Sequence, residues 1–363
     1  MKNYLSIFIF CLSFSVTAQT AAPILDSIIS DGVYRKYVLY VPTIYNSSLA
    51  VPLVLNIHGG GGDGNQQMQF GDIRPIADTA NFIIVHPNAL GSSPSWNLNA
   101  NDSAGNSDRL FLANLIDTLK SQYNIDSNKI YSTGFSQGGV MSYNVACLQN
   151  VNFAAIASVS GGMFPSPGVY NVCSPTHPIR TMEIHGTGDQ IAGYTGTSIL
   201  PGAPPSKPID TIINYWVNFN HCNTAPTKII LPNSNTSDNC TVEHYVYSGG
   251  DQGTSVELFK VISGGHAWPA DVATGGTTSA SGSPMMLGNR NMDFNASKEI
   301  WRFFCQYPQT VYPATTGIDQ PPTNAEVSVY PNPNNGSFNL FIEQLEPATT
   351  VQLVDGLGAF IYP

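Results

Sequence analysis

Ser136 stands in a setting that turns a serine hydroxyl into a nucleophile. It is the centre of Gly134-Phe135-Ser136-Gln137-Gly138, the only Gly-x-Ser-x-Gly run in the chain. The strand-like stretch Lys129 to Thr133 precedes it, and Gly139 to Cys147 can continue as a helix. A strand turning sharply into a helix lifts the hydroxyl to the carboxyl edge of a sheet, and the flanking glycines relieve the crowding there. The helix N-terminus supplies N–H groups and a positive dipole end where an oxyanion would form. Such a serine also needs a base, a group that fixes the base, and oxyanion donors. His266, in Gly264-Gly265-His266-Ala267-Trp268-Pro269, directly follows a strand-like run and is the expected base. Asp189, in Ile184-His185-Gly186-Thr187-Gly188-Asp189, holds the same kind of position and is the expected acid. The expected donors are the backbone N–H groups of Gln137 and of Gly60, where the glycines at 59 to 62 let the backbone approach a substrate closely.

Neighbouring residues of the same types read differently. His58 and His185 precede glycine at strand ends and are expected to hold loops in place. Asp108 is expected to start a helix, and Asp251 and Asp271 to be solvated loop acids. Glu183 is a rival acid, but it falls inside a strand. The Gly59–Gly62 run lacks the Lys and Ser/Thr of a phosphate-binding loop. Trp96 and Trp268 have two readings, as walls of a substrate cleft or as core. No C-x-x-C or H-E-x-x-H spacing suggests a metal, and serine chemistry of this kind calls for no cofactor.

The surrounding elements alternate. Tyr34 to Val41 reads as a strand, and Pro52 to Ile57 as a strand buried on both faces. Phe82 to Val85, Lys129 to Thr133, Phe153 to Val159, Ile179 to Ile184 and Val256 to Ile262 add further strands. Helices are expected from Asp108 to Tyr123 and from Asn295 to Tyr307. Ile209, Ile212, Ile213, Trp216 and Phe219 form the apolar stripe of a third. Strands alternating with helices predict an α/β domain with a mostly parallel sheet, ending near Tyr307. A Pro-, Thr- and Asn-rich linker follows over residues 308–325, then a short β-rich segment over residues 326–363.

The chain has 363 residues, enough for one sizeable domain plus extras. Its formal charge of −10 and lack of any basic cluster argue against nucleic acid or an anionic membrane as partner. Residues 1–18 read as a secretory signal, with Lys2, an apolar stretch from Leu5 to Phe14 and a small-residue site at Val16-Thr17-Ala18. Export directs the cysteines toward disulfides. Cys11 leaves with the signal, and five cysteines remain. The locally simplest pairing joins Cys147 to Cys173 and Cys222 to Cys240, leaving Cys305 as a buried, inert thiol.

The order Ser136, Asp189, His266 is that of α/β-hydrolases, and a set of motifs carries a closer likeness. The motifs are Tyr37 to Pro42, the His58-Gly59 loop, Ser95-Trp96-Asn97 and the Gly134–Gly139 elbow. They continue through His185 to Asp189, Gly264 to Pro269 and Ile300 to Phe304. The resemblance they carry, over about Tyr34 to Phe304, is to the secreted polyhydroxybutyrate depolymerase and feruloyl/acetylxylan esterase group, of carbohydrate esterase family 1 type. It implies Ser136 as nucleophile, Asp189 as acid, His266 as base, and Gly60 with Gln137 as oxyanion donors. Trp96, Tyr194 and Trp268 are assigned to substrate binding, and both cysteine pairs sit where such enzymes often place bridges. Gly60 and Ala192-Gly193-Tyr194 depart from the group's usual residues at the mouth of the site.

The tail, through Val329-Tyr330-Pro331-Asn332-Pro333 and Asn335-Gly336-Ser337-Phe338, resembles the start of a type IX secretion sorting domain. The resemblances together imply a secreted or surface-attached serine esterase acting on feruloyl or acetyl esters of plant-wall polysaccharide. A polyhydroxybutyrate depolymerase is the runner-up. A serine peptidase and a non-catalytic binding protein are more distant readings.

Overall fold

A computed structural model describes residues 21–100, 103–148, 151, 153–165, 167–198, 205–270 and 288–306, with the strands Val327–Tyr330 and Asn339–Ile342. The expected signal, the linker, Asp271 and Val351 to Val354 lie outside the described residues.

Ten strands form one sheet in the order β1-β2-β4-β3-β5-β6-β7-β10-β9-β8. Six central strands run parallel: β4 (Ile83–Pro87), β3 (Val51–Ile57), β5 (Ile125–Phe135), β6 (Ala155–Val159), β7 (Arg180–Gly186) and β10 (Val256–Ile262). Antiparallel strands flank them, β1 (Ile24–Ser30) and β2 (Val33–Tyr40) at one edge, β9 (Thr241–Tyr247) and β8 (Thr227–Ile230) at the other. The central strands are buried on both faces because helices cover both, as parallel sheets require. Strand alternation divides the core in two. Leu53, Leu55 and Leu258 face one cluster with Phe111, Leu115, Trp216 and Tyr143. Val54, Tyr131 and Phe259 face the other with Ala77, Ile300, Trp301 and Phe304.

The helices are α1 (Gly64–Phe70), α2 (Arg74–Ala80), α3 (Ser103–Gln122), α4 (Gln137–Leu148), α5 (Ile209–Phe219) and α6 (Ala296–Phe304). Asp108 does not start α3. It lies within the helix, buried, pairs with Arg35 at 2.6 Å and accepts the Asn97 N–H at 2.7 Å. A buried ion pair between residues distant in sequence thus replaces the expected cap. Val327–Tyr330 pairs antiparallel with Asn339–Ile342 in a separate two-stranded sheet.

Cys147 and Cys173 form a disulfide, tying the end of α4 to the segment before β7. Cys222 and Cys240 do not, and both are free and buried. The reason is topological: Cys222 packs in the first core cluster and Cys240 in the second, with the sheet between them. Cys305, expected to be buried, is exposed at the end of α6, although desolvation by its surroundings pushes its thiol up to about 12.

Candidate active site

Ser136 links the end of β5 to α4 at a positive φ of 55°, the constrained backbone of a nucleophile elbow. The elbow is seated directly on β3. A Cβ on Gly134 would lie 2.5 Å from the Ile57 carbonyl oxygen, and one on Gly138 would lie 2.0 Å from the same atom. Ser136 N–H donates to the Val159 carbonyl at 2.9 Å, and its own carbonyl accepts from Val140 in the first turn of α4. The elbow is therefore held by β3, β6 and its own helix, and Ser136 stays partly accessible.

His266 and Asp189 come from loops after β10 and β7, which are neighbours in the sheet. The loops brace each other: Thr187 N–H donates to Val261 and Gly188 N–H to Gly264, both at 2.8 Å. A Cβ on Gly186 would meet the Gly264 carbonyl oxygen at 2.2 Å, so close approach requires glycine there. Asp189 Oδ2 lies 2.7 Å from His266 Nδ1, with both side chains fully buried. Asp189 Oδ1 accepts the backbone N–H groups of Ile191 and Ala192, each at 2.8 Å, which fixes the carboxylate plane. The His266 ring packs on Phe135, the residue before Ser136, with centroids 4.8 Å apart. Its Nε2 is buried and has no hydrogen-bond partner among the described residues. A histidine whose Nδ1–H is held by a carboxylate presents a lone pair at Nε2, the state required of a general base.

Gly60 and Gln137 meet at a cavity of about 390 Å³ that also exposes Ser136. The carboxamide of Gln137 is oriented by its neighbours. Trp96 N–H can only donate, so the atom facing it at 3.1 Å is Oε1, which also accepts from Ser95 Oγ at 2.9 Å. A Cβ on Gly60 would approach the Gln137 carboxamide to 2.9 Å, so this glycine leaves room for that side chain. The cavity wall is largely apolar, with Leu98, Val140, Phe164, Pro165, Pro167 and Ile191. Ser160, unmarked by any sequence motif, also lines it, in a positive-φ turn at the end of β6.

The three aromatic residues assigned to substrate binding do not line this cavity. Trp96 is 3% exposed, donates its indole N–H to the His58 carbonyl and packs on the His58 ring. Trp268, 1% exposed, packs against Phe70 and bonds Ser297. Tyr194 is 7% exposed and donates its hydroxyl to Asp210. Their size and the satisfaction of their polar ends make them core and bracing residues. His58 holds its loop as expected, with Nε2 accepting from Ala89 N–H at 3.0 Å and Nδ1 facing the Gly59 carbonyl at 2.6 Å. Burial lowers its pKa, in keeping with a neutral ring. Among the described residues no group of His, Cys, Asp and Glu is arranged to hold a metal ion.

The sequence profile of the phospholipase/carboxylesterase family matches residues 44–198, less than half of the chain. The bifunctional acetylxylan esterase/xylanase XynS20E of Neocallimastix patriciarum is 27% identical over 237 residues, covering 65% of this chain and 31% of that protein. Feruloyl esterase C of Emericella nidulans is 27% identical over 252 residues, covering 64% of this chain and 82% of that protein. The chain thus spans about a third of the first relative's length and about four-fifths of the second's. Among solved structures, the acetyl xylan esterase from Aspergillus awamori superposes with a TM-score of 0.51 at 18% identity, covering 69% of this chain and 97% of the other. Strand order, elbow and these likenesses agree: the chain has the α/β-hydrolase fold.

Proposed function

We propose that the protein is a serine carboxylesterase that cleaves feruloyl or acetyl esters of plant cell-wall polysaccharide through an acyl-enzyme. The observation that carries this reading is the buried Asp189–His266 pair beside the Ser136 elbow, with His266 Nε2 left unpartnered. Ser136 Oγ attacks the ester carbonyl carbon as its proton passes to His266 Nε2. The tetrahedral oxyanion is held by the Gly60 and Gln137 N–H groups. Collapse breaks the bond to the alcohol oxygen, which takes the proton from His266. A water, deprotonated in turn by His266, attacks the acyl-serine; collapse breaks the bond to Ser136 Oγ, which takes that proton back from His266, and the carboxylic acid is released. No step calls for a metal or organic cofactor. The names of the relatives support the substrate class, and the apolar wall suits an acyl group bulkier than acetyl.

The reading extends to the whole chain. Residues 1–18 act as a secretory signal, residues 19–307 form the esterase domain, and residues 308–325 link it to a segment at 326–363 that resembles a type IX sorting domain. The enzyme therefore works outside the cell or at its surface, with the secretion machinery as partner of the tail.

One observation favours the polyester alternative. Leu25, Ile29 and Tyr34 are 71%, 62% and 70% exposed on one face of the β1–β2 hairpin, where Ile29 and Tyr34 are paired. Exposed apolar residues of this kind suit adsorption to a polymer surface. Turnover of methyl ferulate, p-nitrophenyl acetate, acetylated xylan and a 3-hydroxybutyrate oligomer by the wild type and by Ser136→Ala tests both readings. Activity lost in the variant supports the serine esterase, and the preferred substrate selects the class. Equal inertness of the two proteins on every ester overturns it.

A further inference from the structure

A chain of buried polar groups runs from the nucleophile helix to Asp189 without entering the reaction described above. Tyr143 of α4 donates its hydroxyl to Glu183 Oε2 at 2.8 Å. Glu183 Oε1 lies 2.8 Å from His185 Nδ1. His185 Nε2 lies 2.6 Å from the Ala192 carbonyl oxygen and 3.5 Å from Asp189 Oδ2. Glu183 and His185 are two apart on β7, so their side chains share a face of the sheet, and both are 0% exposed.

Proton positions follow from the acceptors. A carbonyl has no proton to give, so Nε2 carries a hydrogen and donates it to Ala192, with Asp189 Oδ2 as a longer second acceptor. One further proton lies between Nδ1 and Glu183 Oε1, while Glu183 Oε2 is occupied by the Tyr143 hydroxyl. Two carboxyl groups, Glu183 and Asp189, thus flank one imidazole in the interior, where unpaired charge is costly.

We propose that Glu183 and His185 are positioning residues of the active site, an ion pair whose imidazolium stands beside Asp189 and sets its placement and charge environment. This rests on the esterase reading above. The remaining groups near His185 leave the role to it. The Tyr194 ring meets the imidazole edge-on at 6.0 Å, but its hydroxyl is donated to Asp210. Lys260 lies opposite His185 in the β10–β7 register, yet its ammonium sits over the Tyr194 ring at 4.8 Å. Burial by itself lowers the proton affinity of His185, but the hydrogen bond and charge of Glu183, with the charge of Asp189, raise it overall. A positive charge beside Asp189 attracts its carboxylate, so the pair is expected to sustain turnover to lower pH.

The test is the pH profile of kcat/KM on p-nitrophenyl acetate for the full chain and for Glu183→Gln. The variant keeps hydrogen-bonding shape but removes the charge that retains the His185 proton. Its acid limb is expected to rise by about half to one pH unit, with the plateau reduced less than about tenfold. A plateau that falls while the limb coincides with the wild type assigns the pair a packing role only and overturns the proposal. The second measurement is independent of turnover and of whether the variant folds. In the nitrogen-15 spectrum of histidine-labelled wild type at neutral pH, His185 should show both ring nitrogens protonated. A neutral His185 ring overturns the proposal. The doubly protonated signal in a protein inert on every ester supports the ion pair and overturns the esterase reading instead.

Discussion

Asp189 Oδ2 and His266 Nδ1 are 2.7 Å apart with neither side chain exposed. A carboxylate at that distance accepts the Nδ1 hydrogen and so fixes the tautomer that leaves Nε2 free. Asp189→Asn puts an amide in the same space. Its N–H group donates to Nδ1, the ring hydrogen moves to Nε2, and the base is lost without a large change in shape. The expected loss in kcat is about 10⁴-fold, with a circular dichroism spectrum and melting temperature close to wild type. A loss of tenfold or less would mean that Asp189 does not orient the base.

Two glycines of the site test different things. At Gly60 a Cβ meets the movable Gln137 carboxamide at 2.9 Å, whereas at Gly138 it meets the fixed Ile57 carbonyl oxygen at 2.0 Å. Gly60→Ala should therefore displace Gln137 from Ser95 and Trp96 and cost about 10- to 100-fold in kcat, with little effect on urea unfolding. Gly138→Ala should separate the elbow from β3 and reduce stability by about 3 kcal/mol. Comparable stability of the two variants would contradict this division.

The central elements were legible because burial on both faces leaves a local signature. Val51–Ile57 is a near-continuous apolar run, and the elbow joins a strand pattern directly to a helix. The exposed strands β1 and β8, the half-buried β9 and the short helices α1 and α2 carry weaker periodicity and leave no clear pattern in the sequence. Contacts between distant residues left no trace. Arg35, the partner of Asp108, lies 73 positions away, and the nearness of Cys222 to Cys240 in sequence conceals the sheet between them. The aromatic residues at 96, 194 and 268 illustrate the same limit, since residue type alone does not distinguish a cleft wall from the core behind it. Glu183 and His185 share a strand face, which is visible in the sequence, but Tyr143 is brought to them only by α4.

Stability should fall on the acid side for two separable reasons. Burial lowers the pKa of His86 to about 3, against about 6.5 when unfolded. Between these values the unfolded chain takes up a proton that the folded chain refuses, so stability declines by up to ~1.4 kcal/mol per pH unit as pH drops. Glu257 is buried, which raises its pKa, but hydrogen bonding to His244 and the charge of Arg302 prevail and hold it low. Its contribution is present above about 4.5, the unfolded value, and is lost as pH falls through the folded one. His185 has the opposite sign: with a raised pKa, its contribution is full below about 6.5 and is lost as pH rises through the folded value. Urea unfolding across pH 7 to 4 should show the decline, and His86→Gln should flatten its upper part. An unchanged slope in that variant would remove His86 from the account.

The Cys147–Cys173 bridge closes a loop with a sequence separation of 26. On the chain-entropy estimate its loss in Cys147→Ser/Cys173→Ser costs about 3.5 kcal/mol, read as a lower urea midpoint. Cys222→Ser breaks no bridge and should leave a smaller deficit. Thiol titration of the denatured, unreduced protein should label Cys222, Cys240 and Cys305. Absence of label at Cys222 and Cys240 would show that they are oxidised after all.

Gly162 offers the sharpest test of acyl-group size. It lines the cavity beside Ser136, and a Cβ there meets nothing closer than Ser206 at 3.5 Å, so a side chain fits without moving the backbone. Gly162→Val fills part of the apolar space with two methyl groups while leaving Ser136, Asp189 and His266 in place. A small acyl group still reaches the serine, whereas a planar aromatic one loses volume it needs. The expected result is a fall in kcat/KM of roughly tenfold or more on methyl ferulate and less than about twofold on p-nitrophenyl acetate. Equal losses on both esters would mean that the substitution disturbs the catalytic groups themselves. Equal retention would place the bulky acyl group outside this cavity.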